Sequence, residues 1–308
     1  MKTLPSPPSH SLIRLSPAFF SLATALLLGA TAQAVILVGD QGTGNVQTFN
    51  ETTGALINGT FIIGPGNSNG LLALSSTIYI SNSSGARVST YSATTGAVQN
   101  LNFITGLSAS RQLTALGNSL FVVNEGTGIL GQYNLTTGAL LNPNFITGLN
   151  SAFGITVVGT SLLIASEANG NVGKYDGVTG ALLNANFITG LSNPIGMTVS
   201  GTDLFVGSYA TGVIGRYNAL TGAVVTASFI TGQSGVESLV VTNNHLIAAR
   251  QGVPTLSEFD ATTGALLSGS FITAGGSPTM LALSVPEPGT AGLLLLGGLA
   301  LVRRRRVR

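Results

Sequence analysis

The sequence predicts an all-β protein whose central part is a six-bladed β-propeller with four strands per blade. Three observations carry that expectation. First, three residue ladders share one spacing, 42 residues: Phe61, Phe103, Phe145, Phe187, Phe229 and Phe271; Gly54, Gly96, Gly138, Gly180, Gly222 and Gly264; and Phe49, Tyr91, Tyr133, Tyr175, Tyr217 and Phe259. A period near 40 residues is read first as a propeller or a solenoid. Second, each repeat holds four short apolar stretches divided by turn chemistry, with no sustained helical period away from the two ends. Third, the repeat region starts one strand short and ends with one strand to spare.

Within a repeat the strands come in order. Residues 153–159, FGITVVG, alternate Ile155 and Val157 with smaller residues and form the first. The apolar run 161–167, SLLIASE, forms the second, 171–176, NVGKYD, the third, and 181–189, ALLNANFIT, the fourth. Gly159-Thr160, Asn169-Gly170 and Val178-Thr179-Gly180 separate them. Glycine supplies the positive φ of tight hairpins. Turns this dense exclude an α-solenoid.

The ladders then acquire expected roles. The Thr-Gly position closes the hairpin between third and fourth strands. The aromatic ladder ends the third strand, the Phe-Ile ladder lies in the fourth, and both wedge between blades. Small residues precede the aromatics at Gly131, Gly173, Gly215 and Ser257, and are expected to admit a neighbouring blade.

The first-strand column reads Leu71, Leu113, Ile155, Met197, Leu239 and Leu281. Another 42 residues back from Leu71 lies the N-terminal leader. The ring therefore begins on a second strand, 35–40, and its spare first strand, 279–284, is expected to complete blade one and close the circle.

Across residues 35–284 this pattern resembles the NHL-type propeller repeat, best at 193–222 with Pro194 and Gly196 before the first strand. That family often ends its second strand with Asp, whereas the column here reads Asp40, Asn82, Asn124, Ser166, Ser208 and Arg250. The resemblance implies the fold and no particular activity.

The two ends read as addresses. Lys2, His10 and Arg14 precede an apolar run, 16–30, and an A-x-A site at Ala32 and Ala34. This is the form of a secretory signal peptide, 1–34, cut after Ala34 by signal peptidase. The C-terminal segment 285–308 joins Pro286-Glu287-Pro288, an apolar stretch 289–302 and Arg303, Arg304, Arg305 and Arg306. It is a stop-transfer pattern. As a helix the stretch rises about 21 Å, short of a roughly 30 Å hydrocarbon core. The segment resembles a PEP-CTERM sorting signal. Such tails occur on exported proteins of Gram-negative, exopolysaccharide-making bacteria, which implies processing near the Pro-Glu-Pro by an exosortase-type membrane enzyme. The expected location is therefore the cell envelope, cell surface or exterior, with transient or lasting membrane contact through the C-terminal helix.

Charge and composition narrow the function. Between Asp40 and Asp260 five basic residues stand against nine acidic ones, a net of −4. The overall +2 thus belongs to the two ends and does not describe a nucleic-acid-binding surface. The absence of Cys removes disulfides, thiolate metal sites and thiol nucleophiles together. After export His245 is the sole histidine; its place in the turn TNNH makes it a solvated turn residue rather than a general base. No G-x-S-x-G elbow or P-loop occurs. The sequons at Asn50, Asn58, Asn82 and Asn134 read as turn asparagines.

What remains is a face. Loops after the second and fourth strands open on one side of the ring and carry Asn82, Arg111, Asn124, Tyr209, Glu237 and Arg250, a possible ligand face, with Asn67 beside them. Asp40, Glu125 and Glu167 are the candidate oxygen ligands for an axial Ca²⁺, a place where propeller lactonase-type enzymes use a metal. The sequence is thus read as an exported surface or matrix module that binds polysaccharide or an envelope protein. The alternatives are a metal-dependent propeller hydrolase or lyase, and a structural matrix component that assembles through blade edges.

Overall fold

The structure, a computed structural model, describes residues 34–64 and 66–284. These belong to one compact unit, Gln33–Glu287. The leader and the sorting segment lie outside the described residues. Among the described residues no helix is long and apolar enough to cross a membrane.

Twenty-four strands form six four-stranded antiparallel sheets. Blade 1 holds β1 (Val35–Asp40), β2 (Val46–Asn50) and β3 (Leu56–Ile62). Blade 2 holds β4 (Ser68–Leu74), β5 (Thr77–Asn82), β6 (Arg87–Ser92) and β7 (Val98–Thr105). Blade 3 holds β8 (Ser110–Leu116), β9 (Ser119–Asn124), β10 (Ile129–Asn134) and β11 (Leu140–Ile146). Blade 4 holds β12 (Ala152–Val158), β13 (Ser161–Ser166), β14 (Asn171–Asp176) and β15 (Leu182–Ile188). Blade 5 holds β16 (Pro194–Ser200), β17 (Asp203–Ser208), β18 (Val213–Asn218) and β19 (Val224–Ile230). Blade 6 holds β20 (Val236–Thr242), β21 (His245–Arg250), β22 (Thr255–Asp260) and β23 (Leu266–Thr273).

The last strand, β24 (Pro278–Ser284), returns to blade 1 and pairs antiparallel with β1, from Val35 opposite Ser284 to Gly39 opposite Met280. The ring therefore closes as the spare strand implied. Asp40 fastens the join: its carboxylate accepts hydrogen bonds from the Ser277 N–H at 2.5 Å and from Thr43 N–H at 2.7 Å.

The core is divided among six seams. Each of six apolar clusters joins two consecutive blades. The second strands show why their sequences are continuous apolar runs. In β13, Leu162 and Ile164 face the seam with blade 3, while Leu163 and Ala165 face blade 5. Both faces are buried, and each such Leu or Ile contributes roughly 1.5–3 kcal/mol. The aromatic and Phe-Ile ladders meet in the same seams, as where Phe187 of blade 4 joins Tyr217 of blade 5.

The glycine ladder serves two ends. Gly138 has φ +72°, and a Cβ there would lie 2.2 Å from the carbonyl oxygen of Phe103 in the preceding blade. The same approach recurs around the ring, ending with Gly54 against Phe271. The turn before it is capped by the last residue of the third strand: Asn134 Oδ1 accepts from Thr136 and Thr137 N–H at 3.0 and 2.9 Å. Asn50 caps its own turn the same way, while Asn58 accepts from Thr60 N–H and Asn82 from Ser84 Oγ. All four sequon asparagines thus brace local backbone.

Two expectations are corrected. Gly131, Gly173 and Gly215 do not admit a neighbouring blade. A Cβ at each would meet the ring of the tyrosine two residues on, Tyr133, Tyr175 or Tyr217, at 2.6–2.9 Å. Residues i and i+2 share a strand face, and the ring folds back over the gap. His245 opens β21 directly after the turn rather than lying in it; its side chain is 38% exposed, and its Nδ1 lies 2.7 Å from Oε1 of the buried Glu258.

The fourth strands form the rim. Their first five residues are exposed or nearly so, and only the Phe-Ile end reaches a seam. Register shifts mark a bulge in each third-to-fourth pairing, as between Leu130 and Gln132 opposite β11. Asn142 Oδ1 caps that bend by accepting from Asn144 N–H at 3.0 Å.

Candidate ligand site at the channel mouth

The first strands line a central channel of about 160 Å³. Each first strand starts, and each second strand ends, on one face of the ring. Two rings of side chains follow from that geometry. The inner ring is the second residue of each first strand: Asn69, Arg111, Phe153, Ile195, Glu237 and Thr279. The outer ring is the residue after each second strand: Gln41, Ser83, Glu125, Glu167, Tyr209 and Gln251.

The rings are tied together unevenly. Asn69 accepts from Gln41 Nε2 at 2.8 Å and donates to Ser83 Oγ at 2.7 Å. Arg111 pairs with Glu125 at 2.6 Å, reaches Asn69 Oδ1 at 3.4 Å, and lies 4.6 Å from the centroid of the Phe153 ring. This half of the mouth is internally satisfied.

The other half is not. Glu237 is 6% exposed, and no described residue is hydrogen-bonded to its carboxyl, whose oxygens are not sealed from solvent. Burial pushes it up to about 7, with the Arg111 charge pulling down and the Glu167 charge pushing up. Burial, Glu237 and Glu167 together raise the Tyr209 phenol above its ordinary value. The Tyr209 hydroxyl donates to Gln251 Oε1, and Glu167 accepts from Asn193 Nδ2 at 3.1 Å. A carboxyl so buried is costly without a partner. Near neutral pH it can both donate and accept, so it suits a ligand hydroxyl.

The structure therefore joins Arg111, Glu125, Glu167, Tyr209 and Glu237 in one electrostatic neighbourhood. Other predicted positions serve the scaffold. Asn82 and Asn124 are buried and hold loop backbone, Asn124 accepting from Ser108 N–H at 3.2 Å. Arg250 ends β21 with its Nε buried and unpartnered. The carboxylates considered for calcium do not converge. Asp40 clasps the ring closure, Glu125 is paired with Arg111, and Glu167 takes Asn193. Among the described residues no three His, Asp or Glu side chains are grouped to hold a metal. Asn69, Phe153, Gln251 and Thr279 were not predicted. The signal for Asn69, Phe153 and Thr279 was present as the 42-residue column beginning at Asn69, whose members differ in every blade, and that for Gln251 as the column beginning at Gln41.

No family model and no curated protein sequence matches the chain. Among solved structures it is similar to a chain of a nidogen–laminin complex, with TM-score 0.68 and 13% identity over 81% of this chain and 98% of that one. A protein of unknown function from Bacteroides caccae gives 0.63 and 17%, over 82% and 98%. A gluconolactonase from Xanthomonas campestris gives 0.59 and 16%, over 69% and 78%. At such identities the likeness is one of fold, and the chain shares with them the β-propeller architecture.

Proposed function

We propose that this chain is an exported cell-surface or matrix module, sorted by a PEP-CTERM/exosortase system, that binds a neutral polyhydroxylated ligand such as exopolysaccharide at the channel mouth. The export and sorting parts rest on the terminal sequences alone. The binding part rests on one observation: the largely desolvated Glu237 carboxyl, bonded to no described residue yet reaching solvent, in the electrostatic neighbourhood of Arg111 and Tyr209. Sugar hydroxyls would supply its missing donor and acceptor.

Titration calorimetry with exopolysaccharide from the producing bacterium, and with neutral oligosaccharides, tests the reading. Glu237→Ala is expected to weaken binding roughly tenfold or more, since each lost buried hydrogen bond is worth about 1–3 kcal/mol. Saccharide binding that Glu237→Ala and Arg111→Ala leave untouched would move the site elsewhere.

A further inference from the structure

The exposed large apolar side chains of the described residues are confined to one zone. Twelve lie on the fourth strands: Leu56 and Ile57, Val98 and Leu101, Leu140 and Leu141, Leu182 and Leu183, Val224 and Val225, and Leu266 and Leu267. The other three, Ile63, Val178 and Leu220, sit in the turns and loops flanking those strands. None of the six fourth strands contains a charged residue. Each is the outer edge of its sheet, hydrogen-bonded on one side only.

Soluble proteins ordinarily guard such edges with lysines, inward charges, prolines or bulges. Here the guard is partial. The bulge bends the second half of each strand, and Pro143 interrupts β11. The first register shift falls within the apolar pair, Leu141 being the extra residue between Leu140, opposite Tyr133, and Asn142, opposite Gln132, and both leucines remain exposed.

We infer that the rim is a self-association surface whose partner is the rim of a second copy of this chain. Charge selects the occupant. A rim built for a different protein would be distinguished by complementary charge, whereas an uncharged rim is one that its own copy can approach without repulsion. The same short edge on every blade also allows two copies to meet through identical strands, antiparallel about a twofold axis. The register shifts break each edge into short runs, so a single contact is weak. Up to six contacts around one ring make the association multivalent and steep in concentration.

The test is sedimentation velocity on the ring, Gln33–Glu287, which contains all six seams and its own closure, with the full chain run in parallel. Between about 10 μM and about 1 mM the ring is expected to associate progressively, with no weakening at high salt. The variant Ile57→Lys, Leu141→Lys, Leu183→Lys, Val225→Lys and Leu267→Lys is expected to associate roughly tenfold more weakly and to keep its melting temperature. Arg111→Ala should associate like the unaltered ring. A ring monomeric throughout, or a lysine variant that assembles unchanged, overturns the inference. Should the lysine variant not fold, hydrogen exchange on the unaltered ring decides: concentration must protect amides of the fourth strands, and protection confined to the channel mouth overturns the proposal.

Discussion

Glu237 ties the candidate site to stability through its proton. The folded ring holds that proton to about pH 7, against an ordinary value of 4.5. Between those values the folded state binds more protons than the unfolded chain, so stability falls as pH rises through the window. Well below pH 4.5 the group is protonated in both states and no longer makes stability depend on pH. Glu237→Gln should therefore gain on the unaltered protein by up to about 3 kcal/mol between pH 4 and pH 8. Urea unfolding at the two pH values measures it, and an unchanged difference would mean Glu237 is solvated. Asp40 runs the opposite way. Burial raises it, but hydrogen bonds from Thr43 and Ser277 outweigh that and hold it below its ordinary value. Its contribution is present above the ordinary carboxylate range and is lost as pH falls through the lowered value. The sequence made both residues conspicuous as acids in a chain with few charges, but not which was structural. That depended on Ser277, 237 positions away, a separation invisible to any local pattern.

At the scale of the strand, closure rests on β24. Its Met280, Leu281 and Ala282 are buried, and it covers the inner edge of β1. Deleting residues 279–284 exposes those side chains and that edge. The loss should be about 5 kcal/mol or more, comparable to the whole stability of an ordinary domain. Calorimetry on the truncated ring checks this, and melting at the original temperature would refute the closure argument. This element was legible because a strict period states what is missing at one end and left over at the other. The six blades and their turns were legible for the same reason. The partner of Gly131 was not. A gap two residues before an aromatic satisfies a same-strand ring and a neighbouring blade equally well in sequence, and only the fold-back of Tyr133 separates them. The mouth residues were half legible. Arg111, Tyr209 and Glu237 stood out by chemistry, whereas Asn69 and Thr279 look like ordinary polar residues until the first strands converge.

For the whole molecule, the proposed sorting makes a statement about mass. Native protein should lack everything after about Pro288, and intact-mass spectrometry should find the new terminus there; a retained arginine cluster would leave an ordinary anchor instead. The pairing of Val35 with Ser284 then fixes an orientation. Val35 begins a second strand and Ser284 finishes a first one, so both ends of the ring exit opposite the face that carries Arg111 and Glu237. Whatever is joined to either end of the ring thus departs from the side away from Arg111 and Glu237.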